Sequence, residues 1–197
     1  MGTIQERLQE HLQHRAFEEI APLLDSAELE SPNPLVLQDN WPFVLHLLGH
    51  IYNKQLPDAR MLWKRIPQNV KENNAELSAV WRLLQFFWQR QYVGVWQALQ
   101  SYQWSPQSRP LVDALSLKTR EELIDLIGTA YSTVKPSKVA SLCGMPQQEA
   151  LAACQKLGWQ YNEGAGTLSV VRKPVSAEHE GVNNLQNLAE YMSHIEH

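Results

Sequence analysis

The segment that decides the fold is residues 132–171, which read STVKPSKVASLCGMPQQEALAACQKLGWQYNEGAGTLSVV. Pro136 and Pro146 each stand at the start of a short stretch with helical spacing of apolar residues. Gly144 and Gly158 each follow the end of such a stretch, where helices commonly terminate. Two short apolar runs then flank a glycine-rich turn, which is typical of a β-hairpin. The order strand, helix, turn, helix, hairpin predicts a winged helix, a helix-turn-helix that carries a hairpin wing.

Upstream of this segment the apolar spacing is helical, and it predicts a mainly α-helical chain. Ala59, Leu62, Trp63 and Ile66 fall on one face of a helix that begins near Pro57. The next long helix carries two apolar stripes, which consist of Leu77, Val80, Trp81, Leu84 and Trp88, and of Ala79, Leu83, Phe86 and Phe87. A helix that is apolar on two sides must be covered on two sides, as in the stacked helix pairs of a solenoid.

Three regions follow from this reading of the chain. We predict a helical-repeat region of the TPR or HEAT kind at 1–105 and a winged-helix subdomain at 106–175. A polar linker and one amphipathic helix make up 176–197. Within these regions we expect further helices over 4–29, from about residue 42, over 92–102 and up to about residue 131.

The bulk composition bounds the class of protein. The chain has 197 residues, of which 44% are hydrophobic and 19% charged, so it can bury a sizeable core. We expect its seven tryptophans to lie mostly in that core, with exposed anchors at interfaces as the minority use. The net charge of −4 argues against nucleic acid as the main partner, because nucleic-acid binders usually carry a basic excess.

The second helix of the predicted winged helix, which runs from Pro146 to Leu157, would be its recognition helix. Its charges also argue against nucleic acid. It offers Gln147, Gln148 and Gln155 but a single cation, Lys156, and the turn at 163–166 has neither lysine nor arginine. Docking in a groove needs cations against the phosphates as well as side chains that read bases. We therefore predict no nucleic-acid partner, and a winged-helix nucleic-acid binder is the alternative of another class.

Three surfaces are candidate protein interfaces. The tail carries apolar residues spaced by three or four positions, which are Val182, Leu185, Leu188, Met192 and Ile195. This seam predicts a helix that packs either on its own chain or in a bundle of helices from partner subunits. The second candidate interface is the outer strand of the wing, because an open strand edge can pair with another chain. This strand comprises Thr167, Leu168, Ser169, Val170 and Val171. The third candidate interface is a basic cluster that comprises Arg60, Lys64, Arg65 and Lys71. This cluster is either the solvated face of a helix or a docking patch for an acidic partner.

No catalytic, cofactor or metal site is predicted. Cys143 and Cys154 lack the C-x-x-C spacing of zinc sites, and we expect two reduced, half-buried thiols. His46 and His50 lack the H-E-x-x-H pattern of metalloproteases, so we expect one histidine on a helix face and one partly buried. The sequence shows no phosphate-binding loop, signal peptide or membrane span, which favours a protein of the cytoplasm and nucleus.

Several stretches of the chain resemble a known family. They are ARMLWKRIP at 59–67, Trp81, WQR at 88–90, YQWS at 102–105, VRKP at 171–174 and LAEYMSHIE at 188–196. In this order they resemble PCI-domain subunits, specifically the subunit 8 family of the COP-9 signalosome, over about residues 41–197. Sister PCI subunits, the small one of the proteasome lid and subunit k of eukaryotic initiation factor three, are the related alternative.

The resemblance implies a function that spacing does not. It implies a non-catalytic scaffold subunit in a hetero-oligomer of PCI subunits, with subunit 3 as the expected neighbour and with no membrane contact. The winged helices of such subunits line up and their tail helices form a shared bundle. The complex removes NEDD8 from cullins, through a different, zinc-containing subunit, and so regulates cullin-RING ubiquitin ligases. In plants it represses photomorphogenesis, the light-dependent development, in darkness.

Overall fold

The structure is a computed structural model that describes residues 4–30 and 41–171. These ranges are mainly helical, as predicted. Their helices are α1 (Ile4–Gln13), α2 (Ile20–Glu30), α3 (Phe43–Tyr52), α4 (Leu56–Arg65), α5 (Gln68–Asn73), α6 (Ala75–Trp88), α7 (Tyr92–Ser101), α8 (Arg109–Ala130), α9 (Pro136–Cys143) and α10 (Gln147–Lys156). The strands are β1 (Thr133–Val134), β2 (Gln160–Asn162) and β3 (Thr167–Ser169). Within the described ranges no helix combines the length and the apolar character needed to cross a membrane.

Helix boundaries follow from local chemistry. In α4 the predicted apolar face is inward, since Ala59 and Leu62 are fully buried, and the helix ends before Pro67. In α6 the Asn74 side chain caps the amino terminus by accepting a hydrogen bond from the Leu77 amide at 3.0 Å. The helix α4 therefore begins close to its predicted start near Pro57.

Two hydrophobic cores meet along α8. Its first half contributes Leu111 and Leu115 to the large core of the helical region, and its second half contributes Leu123 and Ile127 to a smaller core. Trp96 of α7 also belongs to the smaller core. Because α8 is continuous and serves both cores, it couples the two regions mechanically. The division near residue 105 stays a prediction.

The rest of the smaller core comes from a helix-and-hairpin module, residues 132–171. The elements of this module occur in the predicted order. Gly144 ends α9 with φ of +59°, a left-handed conformation that glycine adopts without strain. A Cβ at this position would also lie only 2.2–2.5 Å from the Trp96 ring. The Trp96 indole donates a 2.7 Å hydrogen bond to the Leu142 carbonyl, which ties α7 to the module at the same place.

The sheet corrects one expectation about the module. Its strand order is β1-β3-β2, with both pairs antiparallel, so β3 is the central strand. Leu168 of β3 lies opposite Val134 on one side and Tyr161 on the other. The prediction that Thr167–Val171 forms an outer strand with an open edge is therefore wrong, because β1 covers that edge. The open edges of the described sheet belong to β1 and β2, and Val171 is an exposed residue beyond the end of β3.

Candidate interaction surfaces

Three tryptophans lie together at the surface of α4 and α6. The rings of Trp63 and Trp81 stack in parallel, with centroids 4.6 Å apart and an interplanar angle of 7°. Trp88 lies further along α6, and 48% of it is exposed. The other four tryptophans are buried, as the composition predicts; they are Trp41, Trp96, Trp104 and Trp159.

Two cations lie against these rings. The Arg60 guanidinium carbon is 5.3 Å from the Trp88 ring centroid, and the Lys71 ammonium is 5.1 Å from the Trp63 ring centroid. Both distances lie within the range of cation–π attraction. We call Arg60, Trp63, Lys71, Trp81 and Trp88 the tryptophan–cation face.

The tryptophan–cation face includes part of the predicted basic patch. Of the four predicted cations, Arg60 and Lys71 lie on it. Arg65 instead donates a 3.0 Å hydrogen bond to the Glu28 carboxylate on α2. Lys64 is exposed. The role of the patch in docking remains a prediction.

The exposure of Trp88 corrects the expectation that both stripes of α6 are covered. Leu77, Val80 and Leu84 of the same stripe are buried, but the stripe reaches the surface at its carboxyl end. Large aromatic side chains and arginine are the residues that most often dominate the binding energy of protein interfaces. An aromatic surface that carries two cations suits a partner that offers apolar and acidic groups.

A second constellation lies inside the helical region, between α2 and α3. His46 Nε2 is 2.9 Å and His50 Nε2 is 3.3 Å from Asp25 Oδ1. The two imidazole rings stack at 4.8 Å. We call Asp25, His46 and His50 the aspartate–histidine cluster. Their side chains offer ligand atoms that lie within 4.8 Å of one another.

Both histidines are buried, so the expectation of one on a helix face and one partly buried is wrong. Their exposed fractions are 0% for His46 and 2% for His50, because α2 packs over this side of α3. Burial lowers the pKa of His46, and the hydrogen bond to Asp25 opposes that shift. The same hydrogen bond lowers the pKa of Asp25, so its carboxylate is ionised at neutral pH.

The two cysteines lie in the core of the module. Cys143 and Cys154 are free thiols and fully buried, so the expectation of half-buried thiols is wrong. Burial raises the pKa of Cys143 to about 11, and the neighbouring Cys154 adds to the shift. Such a thiol is overwhelmingly protonated at neutral pH, and the thiolate is the nucleophilic form. The geometry therefore suits a core side chain better than a nucleophile.

Comparison with known proteins places the chain in a family. The model of the CSN8/PSMD8/EIF3K family matches residues 38–179. The chain belongs to the CSN8/PSMD8/EIF3K family. This match begins just before α3 and extends past the module.

Individual members of the CSN8/PSMD8/EIF3K family extend the match. A protein of Arabidopsis thaliana named COP9 signalosome complex subunit 8 is 33% identical over 192 residues, which cover 96% of this chain and 98% of the relative. A Xenopus laevis protein of the same name is 29% identical over 91% of each chain. One from Danio rerio is 33% identical over 69% of this chain and 70% of its own. The Arabidopsis match reaches into the first forty residues, beyond the resemblance noted from the sequence.

The CSN8/PSMD8/EIF3K match covers some of the candidate surfaces and not others. The tryptophan–cation face and the module lie within it, as do His46 and His50, whereas Asp25 precedes it. The predicted interface residues of the tail lie outside both the family match and the residues that the structure describes; they are Val182, Leu185, Leu188, Met192 and Ile195. The interface roles of the tail and of Thr167–Val171 stay predictions.

Proposed function

We propose that this chain is a non-catalytic scaffold subunit of a COP9 signalosome. The observation that carries the proposal is the nearly full-length match to the Arabidopsis relative of that name, which leaves only 4% of this chain uncovered. A match of this extent argues for a shared role in the complex and not only for a shared domain.

The finer parts of the proposal concern partners and activity. The partners are other PCI subunits of the signalosome, with subunit 3 as the neighbour, and they include neither nucleic acid nor membrane. The chain supports the removal of NEDD8 from cullins, and thereby the regulation of cullin-RING ubiquitin ligases, while another subunit performs the chemistry. It acts in the cytoplasm and the nucleus.

The tryptophan–cation face supports a scaffold role. Exposed tryptophan is costly to leave in water, and Trp88 alone is 48% exposed. Stacking and cation–π contacts hold the face in one arrangement before any partner arrives. Preorganised surfaces of this kind lose little side-chain entropy on binding.

Affinity purification of the tagged full chain from its own cells tests the assignment. We expect recovery of the remaining signalosome subunits in stoichiometric amounts. Recovery of proteasome-lid or initiation-factor subunits in their place would assign the chain to a sister complex of the same family. A steeply salt-dependent affinity for DNA or RNA would favour the nucleic-acid alternative.

A second measurement tests the deneddylation role separately from membership. Depletion of the chain should raise the fraction of NEDD8-conjugated cullin, and re-expression of the wild-type chain should restore it. If the conjugated fraction stays unchanged in depleted cells, although the chain purifies with the complex from undepleted cells, membership is retained and the deneddylation role is removed.

A further inference from the structure

Three side chains of metal-ligand type converge between α2 and α3. His46 and His50 are one helical turn apart, so both rings project from the same face of α3 toward Asp25. The Nε2 atoms lie 2.9 and 3.3 Å from the same carboxylate oxygen. Ligand atoms of a tetrahedral zinc site, with bonds of about 2.0–2.1 Å, are about 3.3 Å apart. The three side chains can thus surround one ion with small movements.

Burial fixes the ligands while leaving an entry path. The two histidine rings are almost fully buried, which holds their orientation. The Asp25 side chain is 41% exposed, so the carboxylate side of the cluster opens to solvent. A water molecule can reach the ion there as the fourth ligand, as in zinc sites with three protein ligands.

The outer contact of His50 suits a metal ligand. Its Nδ1 lies 3.2 Å from the Gln55 side-chain oxygen, so Nδ1 carries a proton and donates it. In the neutral ring, Nε2 then presents a lone pair to Asp25 Oδ1 across 3.3 Å. A second proton on the ring or a metal ion between these two atoms satisfies both lone pairs. A histidine that donates its other N–H to an oxygen is the usual second-shell arrangement at metals.

The outer contact of His46, in contrast, disfavours metal binding through its Nε2 atom. The Trp41 indole nitrogen lies 3.3 Å from His46 Nδ1, and an indole N–H can only donate. His46 Nδ1 must therefore accept, which leaves the proton on Nε2, where it is donated to Asp25. Coordination through His46 Nε2 moves this proton to Nδ1 and removes the acceptor of Trp41.

We propose that Asp25, His46 and His50 bind one divalent zinc-type ion with water as fourth ligand, and that Trp41 weakens this binding by holding His46 in the non-ligating tautomer. The ion joins a carboxylate on α2 to two imidazoles on α3, so its effect is structural. The proposal is independent of the proposed function, because it concerns the isolated chain.

Zinc titration of the full chain tests the site. The chain is prepared without a polyhistidine tag, stripped with chelator and titrated with zinc in competition with a chromophoric chelator. We expect one equivalent bound with micromolar or tighter affinity, and a rise in Tm of about 5 °C at a hundredfold excess over Kd. Cobalt in place of zinc should give the visible absorption of a four-coordinate ion.

The variants separate the site from adventitious binding. Asp25→Asn and His50→Gln should each weaken zinc binding at least tenfold, since each removes one ligand. Trp41→Phe should tighten it several-fold, because the aromatic ring remains while its competing N–H is lost. The matched control is the double variant His11→Gln with His14→Gln at the end of α1, which should bind as the wild type does.

Three results would overturn the proposal. The first is less than one equivalent of zinc bound by the wild type, and the second is unchanged affinity in both Asp25→Asn and His50→Gln. The third is equal or weaker binding by Trp41→Phe in a chain whose circular dichroism matches the wild type. Because Asp25 is partly exposed, Asp25→Asn keeps the test valid if a histidine variant fails to fold.

Discussion

The surfaces of the helical region and of the helix-and-hairpin module differ in chemistry. The helical region carries stacked tryptophans on α4 and α6 with cations against the rings, whereas the module presents amides, three lysines and a cation-free turn. Their titratable groups differ as well, because the helical region holds a partly exposed, ionised carboxylate against two buried imidazoles, and the module holds two buried, protonated thiols. Recognition chemistry is thus concentrated on the helices, although the module has the element order of a nucleic-acid reader.

The largest expected effect comes from breaking the junction between the two regions. Gly144→Ala forces alanine into a left-handed conformation and places its Cβ within 2.2–2.5 Å of the Trp96 ring. The two costs together should lower the free energy of unfolding by about 3 kcal/mol. Chemical denaturation followed by tryptophan fluorescence measures this loss.

Gly166→Ala is the matched control for that change. Its φ is +62°, close to that of Gly144, but a Cβ there meets no atom within 4 Å. The conformational cost alone, about 1 kcal/mol, should remain. Equal losses for the two variants would show that the contact with Trp96 contributes nothing to the junction.

Local signals made much of the fold predictable from the sequence. The spacing of Ala59 and Leu62 located α4, and Pro136, Gly144 and Pro146 located the two helices of the module. Each of these signals acts within one helix or turn, so no knowledge of tertiary contacts is needed. The helix α5 was not predicted because Gln68–Asn73 buries no residue and shows no apolar spacing.

Features that depend on contacts between residues far apart in the chain could not be predicted from the sequence. The central place of β3 depends on pairing with β1, more than thirty residues earlier in the chain. The aspartate–histidine cluster was missed because Asp25 and His46 are 21 residues apart and meet only when α2 packs on α3. The i,i+4 spacing of the histidines was visible, and it would have sufficed to suggest a shared partner.

The next largest expected effect is on the affinity for partner subunits, and it should differ between variants of the two surfaces. Arg60→Ala with Trp88→Ala removes exposed side chains from the tryptophan–cation face and should weaken binding to a signalosome assembled without this chain by tenfold or more. Gln147→Ala with Gln155→Ala on α10 is the control and should bind normally. Titration of each purified variant against the partial complex gives the affinities. Equal weakening by both pairs would remove the contrast, whereas no binding by the wild type would instead refute the proposed function.

A smaller effect concerns the core of the module in alkali. The pKa of Cys143 is raised to about 11 in the folded chain from an ordinary value of 9.0. Above pH 9 the thiol ionises in the unfolded chain first, so the folded state loses stability by up to about 1.4 kcal/mol per pH unit until about pH 11. Cys143→Ala lacks this contribution, and its unfolding free energy should fall less steeply over that window. Parallel curves for the two chains from pH 9 to 10.5 would contradict the burial argument.

The smallest effect concerns the helical region in acid, the opposite end of the pH scale. The pKa of Asp25 is lowered, chiefly by the hydrogen bond from His46, so the carboxylate stabilises the fold above its ordinary pKa of 3.8. That stability is lost as pH falls through the lowered pKa. Because the side chain is 41% exposed, solvent screening limits the contribution to less than about 1 kcal/mol. Asp25→Asn should therefore be slightly less stable than the wild type at pH 7, and the difference should shrink below pH 4. A difference that stays constant from pH 7 to pH 3 would mean that the Asp25→Asn variant loses packing and not charge.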